Sequence, residues 1–546
     1  MLEELTAAGD ALRIALDRYS NACLLVQRSF APGQTPRMTT PQLSLRMDDE
    51  VQLITSLETK LLRARAAINW SRNNANTHLT INDLPSELLA HILDLVCRSH
   101  PCAQKEYSAL TFKKKQTNPV AFSLVCSHWR TVVLNTPALW THIDISTSNI
   151  LNKLCLNGIA RFHLSHVGRL PVHLHVFDSR DFPAGNFGEY NEIPYKQIAQ
   201  LAGHVSSFYL DASRAFNYSV HGQILSTFLQ NSTPGRLMRL ITKQNQDYPD
   251  SDTTFIGTTD DPCLDGVTVD LTTKELDKRM LGVSILRLNQ LYPRWTSHAY
   301  RGLVELRLAG LYSPITESEL VRIFRSSPNL RLFDFGFARI KSSCPVNSLV
   351  TPISLSDLEV LNISGLACEK LFSLLRWIAP GTKPLRFGFH QVLYEEMEVK
   401  KSIGSFLSRS HITKAHARGL SFLQTIDLLE LSPRLQELVV SNSNLDSSDA
   451  AQGSMVPIAS DSCIERIYMV DTSVYVGSVT ALINRIGLTL REFVFYNCKF
   501  FYDGAKIRSS KKGLMLERLR QNHPRVEFIV RGEDEGSLFK DWELDA

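Results

Sequence analysis

The fold of this chain is organised by the stretch Leu84-Pro85-Ser86-Glu87-Leu88-Leu89-Ala90-His91-Ile92-Leu93. Pro85 suits the first turn of a helix, because its missing N–H has no intrahelical partner there. Glu87 lies in the same turn, where the helix dipole favours a negative charge. Apolar residues then recur at helical spacing, at Leu88, Leu89, Ile92, Leu93 and Val96. This spacing predicts a helix with a wide apolar stripe.

A second apolar stripe lies downstream, between Val120 and Val133, and is followed by Pro137-Ala138-Leu139-Trp140. The helical parts of both stripes come to roughly 40 residues, which is small for a self-sufficient core. We therefore expect either the rest of the chain or a partner protein to cover this segment.

The LPxELLxxIL opening, the VCxxWR segment from Val125 to Arg130 and the PxLW close resemble an F-box, over residues 80–145. The wider layout is similar to F-box-like proteins of basidiomycete fungi. F-box proteins bind the Skp-type adaptor of a cullin–RING ubiquitin ligase and present substrates to it. Carried over by position, the resemblance implies an adaptor contact made or supported by Leu84, Pro85, Leu88, Ile92, Leu93, Leu124, Val125, Cys126, Trp129, Leu139 and Trp140.

The chain departs from a compact F-box by an insert from Arg98 to Asn118. Such an insert between the first two helices is tolerable if it loops out at the surface.

Composition points to an intracellular globular protein, cytoplasmic or nuclear. Hydrophobic residues make up 44% and charged residues 21% of the chain, and the net charge of +4 does not by itself imply nucleic acid. The 10 cysteines form no CxxC pair, and Met1-Leu2-Glu3-Glu4-Leu5 does not resemble a signal peptide. Without 18 consecutive apolar residues, we expect no membrane span.

We expect four regions along the chain. Residues 1–76 are a helical hairpin or a short coiled coil, with a linker at 31–46. Residues 77–146 are the F-box-like domain with its insert at 98–118. Residues 147–530 form a repeat region, and residues 531–546 are an acidic tail.

The repeat region recurs as helix, turn and short strand. Strands are also expected at 141–145 and 170–176, with a helix at about 150–166 between them. Neighbouring units start 27 and 28 residues apart at 303, 330 and 358, and 29 and 26 apart at 435, 464 and 490, within the leucine-rich-repeat range. An LxxLxL-type spacing marks the units Val205-Phe208-Leu210, Val283-Leu286-Leu288, Leu303-Leu306-Leu308, Leu330-Phe333-Phe335, Leu358-Leu361-Ile363, Leu435-Leu438-Val440, Ile464-Ile467-Met469 and Leu490-Phe493-Phe495.

The predicted fold class is therefore α/β: N-terminal helices and a helical F-box, followed by an irregular leucine-rich-repeat solenoid with a parallel sheet. The period breaks at 176–203, 243–278 and 391–434, which we interpret as loops or divergent units. In such a solenoid the residues between the apolar positions face the inner surface. The candidate target-binding residues are Glu305, Arg307, Asp334, Asn362, Glu437, Arg466, Tyr468, Glu492 and Tyr496.

No metal, cofactor or enzyme activity is expected. Cys97, His100 and Cys102 do not have the spacing of a standard zinc module, and His173 and His175 are expected to be exposed or hydrogen-bonded. The sequence contains no phosphate-binding loop, GxSxG or HExxH.

The function that the sequence predicts is a substrate-recognition subunit of an SCF-type ubiquitin ligase, with the F-box on the adaptor and the repeats on an unknown protein target. The alternative is an interaction scaffold with a repurposed F-box and no ligase.

Overall fold

A computed structural model gives the fold of the chain. It describes residues 2–29, 41–74, 81–99, 119–147, 157–178, 195–212, 218–244, 254–263, 267–310, 315–337, 340–341, 350–366, 368–390, 397–445, 463–502, 505–507 and 512–531. The chain divides into two compact units, Met1–Leu84 and Pro85–Ala546. Nearly all of the predicted insert at 98–118 and of the tail at 531–546 lies outside the described residues.

The first unit contains two long helices, α1 (Leu2–Ser29) and α2 (Pro41–Asn74), and a short 3-10 turn at Ile81–Asp83. Helix α2 therefore includes the last six residues of the expected linker at 31–46. The Tyr19 hydroxyl donates a hydrogen bond to the Glu50 carboxylate and links the two helices. None of the described side chains of this unit is fully buried, although Met47 and Leu57 of α2 are half-buried.

The second unit begins with three helices and a short turn. They are α3 (Ser86–Ser99), α4 (Pro119–Ser123), α5 (Ser127–Leu134) and the 3-10 turn Pro137–Trp140. Cys126 caps α5, because its sulfur accepts a hydrogen bond from the backbone N–H of Trp129. Both predicted helical stripes are therefore confirmed as helices, with a break after Ser123.

A 14-stranded parallel sheet follows, and the order of its strands in space is their order in the chain. Its strands are β1 (His142–Ser146), β2 (Val172–Phe177), β3 (Val205–Ala212), β4 (Arg239–Gln244), β7 (Ile285–Asn289), β9 (Glu305–Gly310), β10 (Leu332–Phe337), β12 (Val360–Ile363), β14 (Leu385–His390), β15 (Ile412–Arg418), β16 (Glu437–Ser441), β18 (Arg466–Val470), β20 (Glu492–Tyr496) and β23 (Glu527–Arg531). The described part of the sheet is open, with β1 and β23 at its edges. The predicted α/β class with N-terminal helices and a large parallel sheet is confirmed.

Helices occupy most of the connections between these strands. Their bounds are Asn157–Val167, Tyr195–Ala202, Gln223–Asn231, Thr273–Met280, Glu317–Ser326, Cys368–Leu375, Met397–Ser408, Phe422–Leu431, Val476–Ile486 and Lys512–Asn522, with a π turn at Tyr218–Gly222 and a 3-10 turn at His298–Tyr300. Among the described residues, no helix combines the length and apolar character needed to cross a membrane.

Shorter strands form three small sheets beside the large one. They are β5 (Thr254–Gly257), β6 (Val267–Thr268) and β8 (Leu291–Pro293); β11 (Ile353–Leu355) and β13 (Ile378–Pro380); and β17 (Asn444–Leu445), β19 (Ser473–Tyr475), β21 (Lys499–Tyr502) and β22 (Ala505–Lys506). Left-handed residues at Asn442, Asp471 and Asn497 turn the chain from the large sheet into the last of these. Asparagine and aspartate tolerate this conformation better than most residues.

The core lies on one face of the large sheet. Every residue of the eight predicted LxxLxL triads is buried, and each triad places its second and third residues in a strand of the sheet. Successive strands pair in register, so that Leu306, Phe333 and Leu361 lie side by side in one row. The alternate side chains of each strand lie on the opposite face, which carries most of the polar and charged groups.

A buried carboxylate joins two of the connections. Glu317 begins the helix Glu317–Ser326 and is almost fully buried. It accepts a hydrogen bond of 3.0 Å from Nε of Arg376, and further hydrogen bonds from Nη2 of Arg376 and from the Trp377 indole. Arg376 and Trp377 follow the helix Cys368–Leu375, so this contact holds residues about 60 positions apart in the chain.

We predict that Glu317→Ala destabilises the second unit by about 3–5 kcal/mol, because it leaves the Arg376 charge buried without its carboxylate. Glu359→Ala is the matched control, since Glu359 pairs with Arg331 at the surface and such pairs contribute about 1 kcal/mol or less. Thermal or urea unfolding measures both. Equal effects of the two variants would contradict this assignment.

Candidate functional site

Helix α3 divides its apolar side chains between two faces. Leu89 and Leu93 are buried in the main core. Leu88, Ile92 and Leu95 are 53%, 38% and 55% exposed. These three residues are four and three positions apart, so they lie on one side of the helix. The described structure therefore leaves one whole apolar face of α3 in contact with solvent.

The turn after α4 adds two more exposed apolar side chains. Leu124 is 70% exposed and Val125 is 60% exposed. The turn is fixed from below, because the Arg130 guanidinium donates a hydrogen bond of 2.9 Å to the Ser123 carbonyl. These two side chains are thus presented by an ordered backbone. We call the five residues Leu88, Ile92, Leu95, Leu124 and Val125 the exposed apolar set.

Trp140 anchors the segment to the sheet. It is fully buried, and its indole N–H donates a hydrogen bond of 2.9 Å to the Val133 carbonyl. Its ring meets Phe162 and His163 edge-on, with ring centroids 5.2 and 5.0 Å apart. Burial lowers the pKa of His163 to about 4, so this imidazole is neutral at physiological pH. The contact joins α5 to the helix Asn157–Val167 and to the start of β1.

The eleven residues of the predicted adaptor contact therefore have different environments. Pro85, Leu88, Ile92, Leu124 and Val125 are exposed, and Leu84, Cys126 and Trp129 are half-buried. Leu93, Leu139 and Trp140 are buried in the core. The exposed residues are accessible to another protein. The three buried residues are not, and can only hold the exposed ones in position.

We predict that Trp140→Ala lowers the stability of the second unit by about 3–5 kcal/mol, since it removes a buried ring and its hydrogen bond. Leu124→Ala should change stability by less than about 0.5 kcal/mol, because its side chain contacts little of the protein. Denaturant unfolding followed by circular dichroism compares the two. A cost of several kcal/mol for Leu124→Ala would show that this side chain belongs to the core.

The polar face of the sheet carries a histidine–aspartate group at its first edge. Strand pairing places Asp144 of β1 directly beside His175 of β2. His142 Nε2 and His175 Nδ1 each lie 2.9 Å from the same Asp144 carboxylate oxygen. Burial alone would raise the pKa of Asp144, but the two imidazoles outweigh it and hold that pKa well below its usual value. The sequence pattern pointed to His173 and His175, but not to His142 and Asp144.

A charged network occupies the middle of the polar face. Glu305 accepts hydrogen bonds from Arg287 at 2.6 Å and from Arg307 at 2.7 Å. Asp334 accepts one from the Asn362 amide at 3.0 Å and lies 3.8 Å from Arg307. Four of the nine candidate target-binding residues thus belong to one network. It spans β9, β10 and β12 and includes Arg287 of β7.

The remaining candidates lie further along the same face. Glu437 is paired with Lys414 at 3.0 Å and with Arg466 at 2.8 Å, and Glu492 lies beside Arg466 in the next strand. Tyr468 and Tyr496 pack against a small apolar cluster of this face, formed by Leu332, Val360, Val439 and Val470.

All nine candidate target-binding residues are half-buried or buried. Seven of them make ion pairs or hydrogen bonds to neighbouring strands. Six belong to the two networks, and the hydroxyl of the seventh, Tyr496, accepts a hydrogen bond of 3.1 Å from Arg531 of β23. The side chains of this face are therefore ordered before any partner arrives.

Asp334 gives the middle network a dependence on pH. Burial raises the pKa of this carboxyl to about 6, against the opposing effects of Arg307 and Asn362. A carboxyl whose pKa is higher in the folded state than in the unfolded chain binds its proton more tightly when folded. Its contribution to stability is therefore present at low pH and is lost as pH rises from about 4 to about 6.

We predict that Asp334→Asn raises the melting temperature at pH 7.5, because the neutral amide replaces a carboxylate whose charged form is disfavoured by burial. At pH 4.5 the carboxyl is largely protonated in the folded protein, and the difference between the variant and the wild type should shrink. Scanning calorimetry at both values tests this. A variant that is less stable than the wild type at pH 7.5 would contradict it.

The cysteine–histidine cluster considered in the sequence is only partly described. Cys97 lies in α3 and is half-buried, and burial raises the pKa of its thiol to about 11. A thiol in this state is a poor nucleophile. His100 and Cys102 lie outside the described residues.

The sequence matches no protein-family model and no curated protein.

Proposed function

We propose that this protein is a substrate-recognition subunit of an SCF-type ubiquitin ligase. In this proposal, residues 77–146 form an F-box-like domain that binds a Skp-type adaptor. The sheet region is a leucine-rich-repeat solenoid that binds a protein target. The chain itself performs no chemistry, because ubiquitin transfer belongs to other subunits.

The exposed apolar set carries this proposal. A helical segment that only stabilised its own chain would turn its apolar stripe inward. Here Leu89 and Leu93 do so, whereas Leu88, Ile92 and Leu95 remain exposed, as do Leu124 and Val125 after the next helix. Exposed apolar side chains grouped in this way mark protein-interaction surfaces. They fall within the stretches that resemble an F-box.

The repeating pattern of the sheet supports the assignment of a solenoid. One unit contributes one strand, and each strand pairs with the strand of the next unit. The leucine-rich-repeat template LxxLxLxxN/C has a further position after the strand, which Ser443, Thr472 and Cys498 occupy in three of the units. The last two of these side chains donate hydrogen bonds to the Val440 and Met469 carbonyls of the preceding strand in the sheet. Stacked repeats bury their apolar edges against one another in this manner.

The contribution of such a subunit to ubiquitin transfer is positional. A target held on the polar face of the sheet would meet loaded ubiquitin at a high effective concentration, rather than by free diffusion. The ion pairs of that face order its side chains in advance, which lowers the entropic cost of binding.

A scaffold without ligase activity is the alternative function. It is favoured by the burial of Leu139 and Trp140 in the same core as the sheet. This burial gives the helical segment a structural role that needs no adaptor.

We predict that the double variant Leu88→Asp/Leu124→Asp binds a recombinant fungal Skp-type adaptor at least about 30-fold more weakly than the wild type, as expected for loss of interface hot spots. Both side chains are exposed, so the charges should leave the fold intact. Leu488→Asp is the matched control, because Leu488 is 78% exposed and follows the helix Val476–Ile486, far along the chain. Co-purification and calorimetric titration measure the binding.

Three outcomes separate the two functions. Loss of binding in the double variant, with binding retained in Leu488→Asp, supports the adaptor contact. The Leu84→Ala/Pro85→Ala variant should weaken binding in the same way and leave the sheet folded. A folded, monodisperse wild type that binds no adaptor would leave the scaffold as the better account.

A further inference from the structure

The first edge of the large sheet holds three donor groups suited to a transition-metal ion. They are His142 Nε2, one carboxylate oxygen of Asp144 and His175 Nδ1, and all lie within 4.8 Å of one another. Each donor comes from a strand rather than a loop. The parallel register of β1 and β2 sets their spacing, since His142 and Asp144 are two residues apart and His175 pairs with Asp144.

We propose that His142, Asp144 and His175 form a binding site for a divalent transition-metal ion, with Zn²⁺ as the best match. Imidazole nitrogen and carboxylate oxygen are common zinc ligands, and three protein ligands leave a fourth position for water or for a group of a bound partner.

The distances suit this assignment. Two ligand atoms bound tetrahedrally to zinc at about 2.0–2.1 Å lie roughly 3.3 Å apart. Each imidazole nitrogen now lies 2.9 Å from the Asp144 oxygen. Both contacts would need to open by about 0.4 Å to admit the ion, and the two imidazole nitrogens, which lie within 4.8 Å of each other, would need to settle at a similar separation of about 3.3 Å.

The surroundings hold the donors in place. The ring of His175 stacks on Tyr209 of β3, with centroids 4.5 Å apart and planes inclined by 13°. The Tyr209 hydroxyl in turn donates a hydrogen bond of 3.0 Å to the buried Asp211. His175 is itself almost fully buried, whereas the His142 side chain is 26% exposed. The site is therefore rigid on its inner side and open to solvent on its outer side.

The polar face that carries this group has no other described cluster of the same kind. Elsewhere in the described residues, Asp178 lies 3.0 Å from His221 and accepts a hydrogen bond of 2.7 Å from Thr147. This group contains only two strong metal ligands, the Asp178 carboxylate and the His221 imidazole. A site with three ligands is thus particular to the first two strands.

Titration of the full, metal-free chain with Zn²⁺ and with Co²⁺ tests the proposal. We expect one equivalent of metal to bind, and a rise in melting temperature with Zn²⁺. His142→Ala should weaken binding by at least about 100-fold, since loss of an outer partner of a ligand alone costs 10–100-fold. His91→Ala is the matched control, because His91 is exposed and lies in α3 rather than in the sheet.

The visible spectrum of bound Co²⁺ separates this site from the cysteines, because thiolate ligation adds strong near-ultraviolet absorption that nitrogen and oxygen ligands lack. Asp144→Asn provides a second variant that keeps the size of the side chain, and circular dichroism checks the fold of each variant. The proposal is overturned if the wild type binds neither metal. It is also overturned if His142→Ala and Asp144→Asn bind as tightly as the wild type, or if the cobalt spectrum is that of thiolate ligation.

Discussion

The large sheet buries the apolar side chains of one of its faces, and this burial determines how the second unit is arranged. Each strand sends alternate side chains into a core shared with the connecting helices, and strand pairing aligns those side chains in continuous rows. A single strand cannot bury its row alone, so each unit needs its neighbours. The other face is thereby left for polar groups. Trp140 joins the helical segment to this core, and so holds one half of that segment while leaving the exposed apolar set outside.

The fold could be predicted from the sequence where large apolar residues fill the repeat positions. Eight such triads coincide with strands, as do the segments at β1 and β2. Four strands of the large sheet were not predicted, and each departs from the apolar pattern for a physical reason. Strand β15 buries Ala415 and Ala417 in place of larger residues, and β4 buries Thr242 at the third position. In the units of β14 and β23, the first position of the triad is occupied by Pro384 and by Arg525, respectively, instead of a large aliphatic or aromatic residue. The capping box of Thr316 and Glu319 was a readable helix signal that the apolar pattern alone did not use.

The candidate sites were harder to predict because apolar spacing shows a stripe without showing what covers it. Leu88 and Leu89 are neighbours of the same type, yet one is exposed and the other is buried. Only the packing of α3 against α5 and the 3-10 turn Pro137–Trp140 decides between them. The sequence predicted which residues lie on one face of the sheet. It did not predict the ion pairs between them, since these depend on which strands become neighbours. The same reason explains why His142 and Asp144 were not predicted as site residues. They meet His175 only through the register of β1 and β2, which no local pattern specifies.

Hydrogen–deuterium exchange of the full chain, with and without a Skp-type adaptor, tests the proposed binding surface. The proposal is that α3 and the turn after α4 present an apolar surface to a partner, while α5 and the 3-10 turn Pro137–Trp140 pack beneath α3. Slower exchange on addition of adaptor, confined to residues 86–96 and 120–130 and absent from the strands of the sheet, is the predicted result. Unchanged exchange in those segments at saturating adaptor would contradict the account.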